Sequence, residues 1–205
     1  MVENIFQILI LLFSIVIHEV SHGFMAEYFG DDTARREGRL TLNPIKHIDL
    51  FGSILLPAIL IISGASFLFG WAKPVPYNPN NLSNRKWGTF WVAAAGVISN
   101  IFIALVFGTI LRFGMHYNIS VSFFTITSYI VLVNLALAIF NLVPIPPLDG
   151  SKIFFTLLPD SFYEITEFLE KYGFIILIVF IIYGSAYLRP ILYLLFSLFT
   201  GQSLG

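Results

Sequence analysis

Several apolar stretches dominate this chain, and each is about 20 residues or more, long enough to cross a hydrocarbon layer of about 30 Å as a helix. With 57% hydrophobic and only 11% charged residues, little sequence remains for a soluble domain. The fold class that follows is an all-α polytopic membrane protein with about five to six transmembrane segments, so any functional site must be built by the membrane helices themselves. The lipid bilayer is the obligatory partner. A net charge of -1 without a basic tract argues against nucleic acid. The absence of cysteine excludes disulfides and thiolate metal sites. The first apolar stretch lacks a basic leader and a small-residue cleavage site, so it reads as a retained span and not as a signal peptide.

Breakers divide the chain into one integral-membrane domain over 1–205. The first helix is expected at about 3–28, ended by Gly30-Asp31-Asp32. A second apolar segment, about 50–69, is either a span or a re-entrant helix, because Pro57 and the Ser63-Gly64 pair interrupt it. Further spans are expected at about 87–113 and 121–142. The proline-rich turn 143–150 stops the latter, and a short amphipathic helix is expected to follow as far as Leu158. The C-terminal apolar region, about 172–199, is broken at Gly184-Ser185 and Arg189-Pro190, giving one bent span or two short pieces. Between the first and third segments, Arg39-Leu40-Thr41-Leu42 alternates at strand period, and prolines hold 71–77 extended. These two pieces predict a short membrane-associated β element.

His18, Glu19 and His22 spell HExxH in the middle of an apolar helix. Residues four apart on a helix share a face, so the two imidazoles can serve one metal, with Glu19 beside them as general base. An ionisable side chain in lipid costs roughly 2.5 kcal/mol or more without a partner, and a metal supplies that partner. A catalytic zinc takes three protein ligands, so a third must come from elsewhere. Met25 and Tyr28 stand where a metzincin needs Gly and His, which excludes that class. Asp149 is favoured because it follows a helix-stopping turn that can aim a carboxylate inward; Glu164 and Glu167 are the rivals. The chemistry implied is metal-assisted peptide hydrolysis with one Zn2+ per chain. The competing reading is an ion or metal transporter, since intramembrane His and Asp also mark transport paths.

The chain resembles the site-2 protease family of intramembrane zinc metalloproteases, in its compact prokaryotic branch without PDZ or CBS domains. The resemblance rests on His18-Glu19-Val20-Ser21-His22-Gly23, on Gly38 through Pro44 with His47-Ile48-Asp49, on Gly70 through Pro76, on Ala95-Gly96 with Asn100, and on Asn141 through Gly150. It implies that Asp149 is the third zinc ligand and that Asn141 handles substrate. Asn100 is a second candidate for substrate contact, although helix packing explains it equally well. Val97 departs from the family's usual proline. A transmembrane protein or peptide is the substrate the resemblance implies.

Arg35, Arg36, Arg39 and Lys46 follow the first helix and mark that end as cytosolic by the positive-inside tendency. The expected location is therefore a prokaryotic cell membrane, multi-pass, with the site nearer the cytosolic face. His47 and His116 are isolated and are expected at the interface rather than at the metal.

Overall fold

Small residues spaced four apart organise the core. The computed structural model describes residues 2–64, 70–114 and 120–203. Its helices are α1 (Val2–Tyr28), α2 (Thr33–Arg36), α3 (Leu56–Ile62), α4 (Arg85–Gly114), α5 (Val121–Asn141), α6 (Asp149–Leu157), α7 (Tyr163–Val179) and α8 (Arg189–Thr200). On α4 the positions Gly88, Val92, Gly96, Asn100, Ala104 and Gly108 form a buried stripe. Such a stripe lets neighbouring backbones approach closely, which is how helices pack without a hydrophobic drive between them. Thus α4 is central, with α1, α5, α6 and α8 against it. Ala104 and Leu111 meet Val131, Leu135, Ile139 and Phe196 in the main apolar cluster. Phe102, Leu105 and Phe113 on the same helix face outward, as lipid-facing side chains do.

Among the described residues, four helical runs are long and apolar enough to cross a membrane: Ile5–Tyr28, Arg85–Gly114, Val121–Asn141 and Tyr163–Thr200. This corrects the expected five to six segments, and two features account for the difference. The C-terminal region is one continuous helical run, in which a π turn at Phe180–Gly184 and a 3-10 turn at Ser185–Leu188 absorb the breakers. The apolar helix over Leu50–Leu60 is too short to count as a span. Past it the chain returns beside its own start, with Trp71 N–H donating to Gly52 O at 3.2 Å and Lys73 N–H to His47 O at 2.8 Å. The last part of that expected segment, 65–69, lies outside the described residues, as does His116.

The expected β element is also corrected: no strand occurs among the described residues. The Arg39–Leu42 backbone bonds locally, Arg39 N–H to Ala34 O and Thr41 N–H to Arg39 O, so it turns instead of pairing. Pro74 and Pro76 have no N–H and Val75 N–H goes to the Glu19 carboxylate, so the two bonds from Trp71 and Lys73 to Gly52 O and His47 O do not extend into a ladder. Buried Arg39 holds this extended segment in place by donating to the carbonyls of Lys73 and Pro74.

One polar clamp fixes the end of α1 near the start of α4. Asp31, fully buried, accepts from Thr33 Oγ1, Asn81 Nδ2 and Asn78 N–H at 2.6 to 2.8 Å. Ser83 N–H donates to Phe29 O at 2.7 Å. Arg85 and Lys86 therefore stand at the same end of the molecule as Arg35 and Arg36.

Candidate metal centre

The i, i+4 spacing on α1 puts His18 and His22 on one face, with ring centroids 4.6 Å apart, and that face meets the small-residue stripe of α4. Three positions of the stripe receive the two rings. Val92 O lies 2.7 Å from His22 Nδ1, Asn100 Oδ1 lies 2.5 Å from His18 Nδ1, and Gly96 lies between them. A Cβ at Gly96 would come within 2.6 Å of both imidazoles, so only glycine leaves room.

The amide orientations follow from an unambiguous acceptor. Asn134 Nδ2 donates to Ile130 O and to Ser14 Oγ, which turns Asn134 Oδ1 toward Asn100 Nδ2 at 2.8 Å. Asn100 must then present its oxygen to His18, whose Nδ1 carries the proton. Val92 O imposes the same tautomer on His22. Both Nε2 atoms are left with a free lone pair.

Asp149 completes the group from the first turn of α6, where a carboxylate is favoured by the helix terminus. The turn before it packs tightly enough that a Cβ on Gly150 would sit 2.2 Å from Leu142 O. Asp149 Oδ2 lies 3.0 Å from His18 Nε2 and 3.3 Å from His22 Nε2. It is buried and has no hydrogen-bond donor. Three electron-rich atoms in this arrangement are stable only with a proton or a cation among them. Ligand atoms at 2.0–2.1 Å from a tetrahedral zinc are spaced roughly 3.3 Å apart, which the two Nε2–Oδ2 separations approach. Among the described residues this is the only group of three or more potential ligands, all within 4.8 Å of one another. The rivals Glu164 and Glu167 are exposed on α7, and buried His47 bonds to Thr41 O.

A cavity of about 390 Å³ opens on this group, and His18, Glu19, His22, Asn141 and Asp149 are among its lining residues. Glu19 Oε2 accepts from Val75 N–H at 2.9 Å, so the extended 70–77 segment both walls the cavity and fixes the carboxylate. Asn141 lies on that wall, its Nδ2 donating to Leu137 O. Asn100 stands behind His18, fully buried and not on the wall. Sequence reasoning passed over Val92 O and Val75 N–H, which are backbone groups without a residue-type signal. Gly96 stands out in the sequence only as part of the Ala95-Gly96 motif, although it lies four residues before Asn100 on the same helix face.

The protein named "Putative zinc metalloprotease YwhC" of Bacillus subtilis (strain 168) is 38% identical over 199 residues, covering 91% of this chain and 85% of that one. The chain belongs to peptidase family M50, the site-2 protease family. The sequence profile described as Peptidase family M50 matches residues 115–183, a stretch that contains Asp149 but not the HExxH helix. Two proteins named "Putative zinc metalloprotease Rip2" are also similar. That of Mycolicibacterium smegmatis is 27% identical over 83% of this chain and 64% of its own length. That of Mycobacterium tuberculosis (strain ATCC 25618 / H37Rv) is 30% identical over 68% of this chain and 52% of its own length. No solved structure matches. Membership in family M50 classes the chain as a metallopeptidase, and its long apolar helices make it an integral membrane protein.

Proposed function

We propose that this protein is an intramembrane zinc protease that hydrolyses peptide bonds within or near the transmembrane segments of membrane-anchored substrates. The observation that carries the reading is the convergence of His18 Nε2, His22 Nε2 and Asp149 Oδ2, with Glu19 on the wall of the same cavity. A zinc ion held by these three residues would supply Lewis acidity to polarise the scissile carbonyl and acidify water. Glu19, oriented by Val75 N–H, takes the proton of the attacking water and passes it to the departing nitrogen. Asn141, which lines the same cavity, would position the substrate backbone.

Depth supports cleavage below the membrane surface. His22 is six residues from the end of α1 and Val92 is seven from the start of α4, about 9 and 10.5 Å at 1.5 Å per residue. The cations Arg35, Arg36, Arg39, Lys46, Lys73, Arg85 and Lys86 all belong to segments joined at that end, which the positive-inside tendency assigns to the cytosol of a multi-pass protein. The test combines metal analysis of the purified protein with cleavage of a model transmembrane substrate. Glu19→Gln is expected to keep zinc and lose cleavage, whereas Asp149→Ala loses both. Full activity of either variant would end the assignment, and zinc flux without proteolysis in liposomes would favour transport.

A further inference from the structure

The wall of the cavity beyond Asp149 carries a charge that the hydrolysis described above does not use. Lys152 lies one helical turn after Asp149 and lines the same cavity, with its ammonium 5.4 Å from the centroid of the Tyr77 ring. Lys152 and Pro147 also line a second, more open groove of about 700 Å³, whose other charged residues are Arg85, Lys86 and Glu170. Three cations thus face one carboxylate. Among the described residues none of the three is within ion-pair distance of an acidic side chain, and Arg85 and Lys86 are exposed. Trp87 and Trp91, about half exposed, follow on the same helix, where amphipathic rings mark a membrane–water boundary.

We propose that this groove binds an acidic segment flanking the substrate's transmembrane stretch, so that substrates with Asp or Glu at the site's end of the span are preferred. The inference rests on the protease reading and adds a substrate class to it. An unpaired cation row adjoining a binding cavity attracts and orients an anionic ligand. Shared lining argues for a peptide over a lipid headgroup. A chain lying in the cavity passes Pro147 and Lys152 on its way out through the groove, while a headgroup at the rim would meet Arg85 and Lys86 alone.

The experiment uses single-span peptides that differ only in short acidic, serine or lysine flanks at both ends, reconstituted in phosphatidylcholine vesicles with the full-length protein. Two ratios of acidic-flanked to lysine-flanked peptide are read: kcat/KM for the wild type and binding affinity for Glu19→Gln. Both are expected at about 3- to 10-fold at low salt, shrinking as salt screens the exposed charges. Adding Arg85→Glu and Lys86→Glu should invert both, and a ratio cancels any general loss of activity or fold. Equal cleavage and binding of all flanks would overturn the groove and leave the protease standing. An acidic preference in binding, with no peptide cut by the wild type, would support the groove while sinking the protease. A preference that arises only when phosphatidylglycerol is added would assign the cations to headgroups and overturn the proposal.

Discussion

Gly96→Ala is a one-carbon change that tests the metal centre without replacing a proposed ligand. The added Cβ would lie 2.6 Å from His18 Cε1, His22 Cε1 and His22 Nε2, against an ordinary contact of about 3.5 Å. An overlap of about 0.9 Å must therefore be relieved. The rings cannot both swing away, because His22 Nδ1 is held by Val92 O and His18 Nδ1 by Asn100 Oδ1, on either side of the same glycine. Relief comes from α1 moving off α4, at about 1–3 kcal/mol for overpacking. Ligand positions must hold to about 0.2 Å for a metal site, so a shift of this size should lower zinc affinity about 10- to 100-fold. Chelator competition on detergent-purified protein reads the affinity, and a thermal melt reads the fold. Gly108→Ala is the control, since its Cβ would crowd Phe199 on α8, far along α4 from the imidazoles. It should lower the melting temperature and leave zinc binding intact. Wild-type zinc affinity in Gly96→Ala would refute the geometry from which the site is built.

Further expectations concern the groups that support the site. Asn100→Ala leaves His18 Nδ1–H and Asn134 Oδ1 without partners, each costing about 1–3 kcal/mol, and should weaken zinc binding about 10- to 100-fold in the same competition assay. Unaltered affinity would mean that His18 is oriented by α1 alone. For Asp31, burial raises the carboxyl pKa, but the hydrogen bonds from Thr33, Asn78 and Asn81 outweigh it and hold the group below its ordinary 3.8. A folded-state pKa below the unfolded one stabilises the fold above about pH 4, and that stabilisation is lost as pH falls through the lowered value. Asp31→Asn should lose about 1–3 kcal/mol near neutrality, because its NH2 would face the Asn78 N–H or the Thr33–Asn81 donors, and should flatten the acid limb of a melting curve taken against pH.

The long helices were legible because hydropathy and breakers speak locally: Gly30 after α1, and the proline-rich turn 143–150 after α5, each leave a mark in the sequence. The HExxH face was legible for the same reason, since i, i+4 geometry needs no tertiary knowledge. Pairing was not. Arg39–Leu42 and 71–77 read as strands by alternation and proline content, yet whether two extended pieces share a ladder depends on where each N–H finds its acceptor. Here the acceptors are local carbonyls, Gly52 O, His47 O and the Glu19 carboxylate. The brace behind the imidazoles was hidden in a different way: Asn100, Asn134 and Ser14 come from three helices, and only docking shows that they form one chain of hydrogen bonds ending on His18.

That the imidazoles come from α1, their orientation from α4 and the facing carboxylate from α6 bears on how the protein comes into being. His18 and His22 are translated before Asp149, so the proposed ligand set is incomplete until α6 has docked. If that set is the catalytic centre proposed above, a half-made chain would have no means of cutting its neighbours, and hydrolytic competence would arrive only once α6 has packed against α1 and α4.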